Sequence, residues 1–128
     1  MSDSTHHHDQ VTLDGMSFYA YHGVNPEERT QGQWFVVDMR VELDLSKPGR
    51  SDRLDDTVNY TDLYQTVKTV VEGQTYNLLE AVAEAIAQQV LDSFPVSAVW
   101  ARVTKPSPPI KNAVLKGVSV EVYRERKS

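Results

Sequence analysis

The sequence contains no cysteine, which excludes disulfide bonds, thiolate metal sites and cysteine nucleophiles. Three of its four histidines stand together at positions 6–8, so only His22 is left for the body of the chain. One histidine cannot assemble a three-histidine zinc site. The sequence also lacks a glycine-rich phosphate loop and a nucleophile elbow. A metal enzyme would have to rely on carboxylate ligands, as Mg²⁺ sites do, and nothing in the sequence points to one. No cofactor is predicted.

Positive charge and long apolar runs are also scarce. The chain has 13 Lys and Arg against 18 Asp and Glu, a formal net charge of −5. Such a chain gains little from displacing counterions on a nucleic acid, so no nucleic-acid partner is expected. No apolar run approaches the ~18–20 residues of a membrane span, and the N-terminus lacks a signal-peptide core. We predict a cytoplasmic protein with no membrane partner.

The 128 residues, of which 40% are hydrophobic, suffice for one domain with one core. Residues 1–10 are polar and contain the three adjacent histidines, so we predict a disordered tail, native or left over from expression. Residues 11–124 form the predicted domain. Residues 125–128 are predicted to fray.

Alternating hydrophobicity predicts four strands. The clearest covers residues 37–45, in which five apolar residues alternate with four charged ones. A strand over Val11–Tyr21, with Gly15 marking a bulge, precedes it and should pair with it as a hairpin. Two further strands are predicted at residues 99–104 and 118–123. The charged face of this sheet must meet water or a wet cavity.

Two helices are predicted between the strand pairs. Apolar residues at helical spacing lead to Gly73, and a second helix begins at Asn77 with Glu80 completing a capping box. The intervening segments 22–33 and 46–56 are predicted to be loops. The order ββααββ predicts an α+β domain, an antiparallel sheet with two helices on one face.

Four short motifs lie at the ends of these elements, where functional residues are commonly placed. Taken singly, each is explained by helix capping, packing or an ordinary surface charge. Together, in this order and spacing, they resemble the dihydroneopterin aldolase family over about residues 11–124. The motifs are Gly15-Met16-x-Phe18-Tyr19-x-Tyr21-His22-Gly23, Asp56-Thr57-Val58-x-Tyr60, Asn77-Leu78-Leu79-Glu80 and Thr104-Lys105-x-x-Pro108-Pro109-Ile110.

The resemblance implies the tunnelling fold (T-fold), in which ββααββ subunits close their sheets into a ring. The helices lie outside, and the other face of the sheet lines a wet tunnel. Homo-oligomers are then expected, as a tetramer ring or an octamer of two stacked rings, with active sites between subunits. Pairing between subunits would also cover the open edges of the sheet.

The resemblance also implies an activity in folate biosynthesis. Members of the family cleave 7,8-dihydroneopterin into 6-hydroxymethyl-7,8-dihydropterin and glycolaldehyde. This is a retro-aldol reaction in which the substrate's own N5=C6 imine accepts the released electrons. No lysine Schiff base and no metal enolate are needed. Cleavage followed by re-addition inverts a side-chain centre, so 7,8-dihydroneopterin epimerase activity can accompany it.

Residue roles follow from the resemblance, position by position. Glu80 would bind the pterin through two parallel hydrogen bonds from the 2-amino group and N3–H, while Leu79 and Val58 complete the pocket wall. Lys105 would be the general acid/base near N5.

The same resemblance assigns two further residues. Tyr60 would return a proton to the enamine carbon after glycolaldehyde leaves. Glu28 would face the reacting end of the substrate and contact it.

Two alternatives stay open. An epimerase acting on dihydroneopterin or its triphosphate would share the fold, but a triphosphate would require more basic residues than the sequence offers. A non-catalytic pterin-binding relative would be expected to lose Tyr60 and Lys105, and both are present. The zinc-dependent pterin enzymes of this fold need cysteine or several histidine ligands, which excludes them.

Overall fold

Four strands form one antiparallel sheet in the order β1-β2-β3-β4 in the computed structural model, which describes residues 9–127. Helices α3 and α4 pack on one face of it, and two shorter helices and a 3₁₀ turn occupy connections. The strands are β1 (Gln10–Ala20), β2 (Gln33–Glu42), β3 (Ala98–Lys105) and β4 (Val118–Glu125). The helices are α1 (Pro26–Gln31), α2 (Ser46–Ser51), the 3₁₀ turn Leu54–Asp56, α3 (Tyr60–Gly73) and α4 (Leu79–Ser93).

The hairpin predicted from the first two strands is confirmed. β1 and β2 are antiparallel, and their register shifts between Leu13 and Met16. Gly15 lies in this shift with a φ of 66°, a conformation that glycine adopts without strain. Its N–H donates to the Asp38 carboxylate at 2.7 Å. The bulge predicted at Gly15 is therefore present.

The core lies between the sheet and the two long helices. Alternate side chains of β1, β2 and β3 point into it, and one stripe of each helix meets them. The α+β class and the placement of both helices on the sheet are confirmed. The largest fully buried apolar side chains include Phe18, Phe35, Met39, Leu63 and Ile86.

Four local predictions differ from the structure. The strand predicted at residues 37–45 is β2, which begins earlier, at Gln33, and ends at Glu42. Segments 22–33 and 46–56 are not loops throughout, because they contain α1 and α2. Glycine and proline mask these helices in the sequence, although proline is tolerated in a first helical turn. The capping box at Asn77 is also wrong: α4 begins at Leu79 with Leu78 at the N-cap and no side-chain cap. Glu80 is the second residue of the helix and is exposed.

The first and last strands each reach one residue beyond the bounds 11–124, and those domain bounds stay a prediction. β1 begins at Gln10 and β4 ends at Glu125, while His6, His7 and His8 lie outside the described residues. Over residues 9–127, the helices are all too short or too polar to cross a membrane.

Candidate active site

A closely paired lysine and glutamate form the centre of the candidate site. Lys105 Nζ lies 2.6 Å from Glu28 Oε2, and the two side chains are 12% and 8% exposed. Lys105 is the last residue of β3, and Glu28 is the third residue of α1. Such a short contact, largely removed from water, is a charge-assisted hydrogen bond. It brings together two of the residues that the resemblance assigned to catalysis.

Other groups hold the Glu28 carboxylate in its ionised form. Gln33 Nε2 donates to Oε2 at 3.2 Å, and the Asn25 backbone N–H donates to Oε1 at 3.3 Å. Burial alone would raise the pKa of Glu28, but the hydrogen bond from Lys105, and after it the one from Asn25, outweigh burial and lower the pKa below its ordinary value. Glu28 is therefore a carboxylate at neutral pH, paired with the lysine ammonium.

The absence of a side chain at Gly23 leaves room for the Glu28 carboxylate. Its φ is 155°, and a Cβ at this position would lie 2.4 Å from Glu28 Cδ. Any side chain there would displace the carboxylate or distort the loop. The glycine of the Tyr-His-Gly motif thus serves the site by allowing backbone and carboxylate to approach closely.

His22 is buried beside this loop as a neutral ring. Its Nδ1 accepts the Tyr76 N–H at 3.0 Å, so the ring proton is assigned to Nε2, which donates to the Val71 carbonyl at 2.8 Å. Burial lowers the pKa of His22, the bond to Val71 opposes this, and the charge of Lys105 lowers the pKa further. His22 fastens the end of β1 to the α3–α4 connection.

Arg29 extends the same attachment. Its Nη1 donates to the carbonyls of Gly23 and Val24 at 2.8 and 2.9 Å and reaches Asn77 Oδ1 at 3.4 Å. The Gly23 N–H also donates to the Tyr76 carbonyl at 3.0 Å. The segment that leads to Glu80 is therefore fixed against the loop that carries Glu28.

The remaining predicted residues lie on other elements. Val58 and Leu79 are buried at 6% and 9% exposure. Tyr60, the first residue of α3, is 69% exposed, and Glu80 is exposed at the start of α4. Within residues 9–127, no hydrogen bond or ion pair joins Tyr60 or Glu80 to the Lys105–Glu28 pair.

Sequence reasoning missed Gln33, Arg29 and Tyr76 as parts of this arrangement. None of them carries a local signal, since each acts through a contact with a distant segment or through the short helix α1. Oε1 of Gln33 is buried without a hydrogen-bond partner, on the same amide whose nitrogen holds Glu28. Among the described residues, no cluster of three or more His, Asp and Glu is placed to hold a metal ion.

Comparison with protein families gives one consistent result. The family model for dihydroneopterin aldolase (FolB) matches residues 11–123. The dihydroneopterin aldolase of Bacillus subtilis is 47% identical over 119 residues, which cover 92% of this chain and 98% of that protein.

Solved structures agree with this similarity. The E. coli dihydroneopterin aldolase in complex with neopterin superposes with a TM-score of 0.83 at 32% identity, covering 91% of this chain and 98% of that one. A Burkholderia dihydroneopterin aldolase bound to guanine gives a TM-score of 0.77 at 25% identity, covering 93% and 92%.

Proposed function

The chain belongs to the dihydroneopterin aldolase family, and from this premise we propose that its Lys105–Glu28 pair is the proton-transfer centre of the reaction. The protein is an enzyme of folate biosynthesis, a carbon–carbon lyase that acts on dihydroneopterin. The observation that carries the residue assignment is the 2.6 Å contact between two nearly buried, oppositely charged groups.

The proposed reaction requires little from the protein beyond proton transfer. A base removes the proton of the 2′-hydroxyl, the C1′–C2′ bond breaks, and glycolaldehyde leaves. The bonding electrons move into the N5=C6 imine, whose nitrogen takes up a proton, and an enamine remains. Protonation of C1′ and loss of the proton from N5 then restore the N5=C6 imine and give 6-hydroxymethyl-7,8-dihydropterin. A lysine ammonium and a carboxylate in contact are suited to such paired transfers.

Within this scheme, Lys105 donates the proton near N5, directly or through a water molecule. Glu28 orients Lys105 and faces the reacting side chain of the substrate. The hydrogen bonds from Gln33 and the Asn25 backbone support this role, because they hold the Glu28 carboxylate in place beside Lys105. Tyr60 is proposed to act on the later proton step at C1′.

Glu80 is the proposed anchor for the pterin ring. Neopterin and guanine, the ligands of the two solved relatives, share a 2-amino-4-oxopyrimidine edge. A carboxylate can accept two parallel hydrogen bonds from the amino group and ring N–H of such an edge. Exposed Glu80 is free to do so, beside buried Leu79. Val58 is proposed to complete the wall.

The open position of Tyr60 supports a site shared between subunits. Tyr60 is largely exposed and has no hydrogen bond to Lys105 within the chain, as expected if it completes a neighbour's pocket. Within residues 9–127 the sheet also has two unpaired edge strands, β1 and β4, with which a second copy can pair. We propose a homo-oligomer, a tetramer ring or an octamer. The cytoplasmic location predicted from the sequence stays a prediction.

The test is an anaerobic assay with 7,8-dihydroneopterin in the presence of a chelator, resolving the pterin products and glycolaldehyde. Equal amounts of 6-hydroxymethyl-7,8-dihydropterin and glycolaldehyde are expected. An epimer as the sole product would favour the epimerase alternative. Pterin binding without turnover would favour a non-catalytic relative and contradict the proposed roles.

A further inference from the structure

Two loops that are distant in sequence are joined by a compact set of hydrogen bonds. The first follows β1, and the second connects α3 to α4. Both backbone polar groups of Tyr76 are hydrogen-bonded, since its N–H donates to His22 Nδ1 and its carbonyl accepts the Gly23 N–H, both at 3.0 Å. His22 in turn donates to Val71 at the end of α3. The second loop is thereby fastened at both ends.

The fixed point lies very close to the start of α4. Only two residues separate Tyr76 from Leu79, the first residue of the helix and a buried one. Ala81 and Val82 donate to the Leu78 carbonyl, so the first turn is formed at once. Because so few residues connect them, the position at which Tyr76 is held determines where α4 begins, and with it the place of Glu80, the second residue of the helix.

Arg29 connects this fixed point to the Glu28 helix. It follows Glu28 directly in α1, and its guanidinium donates to the Gly23 and Val24 carbonyls while reaching Asn77 Oδ1. The loop around Gly23 therefore contacts Glu28 on one face, and the carbonyls of Gly23 and Val24 in the same loop accept hydrogen bonds from Arg29. A displacement of this loop would move Glu28 and the α4 start relative to each other.

We propose that Arg29 and His22 are positioning residues, which set the Glu80 carboxylate at a fixed place relative to the Lys105–Glu28 pair. This inference rests on the proposed function, because it assumes that Glu80 binds the pterin. Neither side chain needs to touch the substrate. They act by holding two loops together. The pterin edge can then bind to Glu80 while the other end of the substrate lies at Lys105.

Arg29 offers the cleaner test because its side chain is on an exposed position, whereas His22 is buried. The experiment measures the dissociation constant of neopterin for the full-length chain, Arg29→Met, Glu80→Gln and the double variant. Arg29→Met should weaken binding about 5- to 20-fold, the effect of a displaced but intact binding group. In the Glu80→Gln background the same substitution should have little further effect, because residues acting through one another are not additive. Arg29→Lys should recover part of the loss, since it keeps the charge without the planar fork.

Arg126 provides a matched control. It also donates to backbone carbonyls, those of Val96 and Phe94, beyond the other end of α4, roughly 20 Å from its start for a 15-residue helix. Arg126→Met should lower the melting temperature but leave neopterin binding unchanged.

The outcomes separate the inference from the function it rests on. Unchanged binding in Arg29→Met, or fully additive effects in the double variant, would overturn the positioning role while leaving Glu80 as the anchor. Unchanged binding in Glu80→Gln alone would overturn the anchor role and the inference with it.

Discussion

Lys105 and Glu28 are in contact although 77 positions separate them in the sequence. The sheet explains how. β3 lies antiparallel to β2 with Thr104 opposite Val36, so the end of β3 meets the start of β2. α1 leads directly into that start, and it carries Glu28 to the same edge. Lys105 Nζ consequently lies 6.0 Å from the centroid of the Phe35 ring and within hydrogen-bond distance of Glu28.

Replacing Lys105 should separate turnover from binding. In Lys105→Met we expect kcat to fall by about 10²- to 10⁴-fold, the usual contribution of a positioned acid or base, while neopterin binds within a few-fold of the original affinity. Steady-state product formation at saturating substrate and calorimetric titration with neopterin would measure the two quantities. An unchanged kcat would contradict the assigned role.

This substitution also leaves the Glu28 carboxylate buried without its partner, which destabilises a fold by about 3–5 kcal/mol. The double variant Lys105→Met/Glu28→Gln should therefore regain stability without regaining activity. Lys68→Met, which removes an exposed lysine paired with Glu72, is the matched control and should change neither.

Gly23→Ala should damage the site through sterics alone. The new methyl group would lie 2.4 Å from Glu28 Cδ at a φ of 155°, so Glu28 or the loop must move. We expect a destabilisation of about 1–3 kcal/mol, typical of backbone strain, together with loss of activity. Gly49→Ala is the control, because open space surrounds Gly49 within helix α2 and no positive φ is required. Urea unfolding of both variants would measure the effect, and equal stabilities would contradict it.

The order and type of the main elements were predictable because they depend on local patterns. Alternation in residues 37–45 marks a strand with one buried face, and the stripe ending at Gly73 marks a helix. The start of α4 was not predictable in the same way. Asn77 and Glu80 have the spacing of a capping box, but Asn77 instead receives the distant Arg29 side chain, and the helix starts two residues later.

The site residues were accessible only through the resemblance. Nothing in the sequence around Glu28 or Lys105 distinguishes them from surface charges, and their burial depends on the meeting of β3 with α1. Gln33 had no signal at all, because its role is a hydrogen bond to a neighbour on a helix that the sequence hides. Pairwise contacts of this kind arise from tertiary packing, so they produce no periodic pattern in the sequence.

His22 should make stability depend on pH. Its pKa in the folded protein is below the ordinary value of 6.5, so its contribution is complete above pH 6.5. As the pH falls below 6.5, His22 binds a proton in the unfolded chain but not in the folded protein, so stability declines. The decline ends when the pH reaches the lowered pKa of His22 in the folded protein. Urea unfolding between about pH 7.5 and pH 5 should show this slope. His22→Gln, which cannot titrate, should be less stable at pH 7.5 but lose the His22 part of the slope; an unchanged slope would contradict the assignment.

Mixing variant subunits tests the proposed homo-oligomer and the proposed placement of Tyr60 in a neighbouring subunit. Lys105 and Glu28 pair within one chain, whereas exposed Tyr60 is proposed to complete the pocket of a neighbour. When inactive Lys105→Met and Tyr60→Phe subunits are unfolded, mixed in equal amounts and refolded, about a quarter of the sites in a ring should combine an intact Lys105 with an intact Tyr60. Activity should then return to about that fraction. Mixing Lys105→Met with Glu28→Gln is the matched control and should restore nothing, since both residues come from one chain. Recovery in the control alone, or in neither mixture, would place Tyr60 in the same subunit as Lys105 or outside the site, and would overturn the shared pocket.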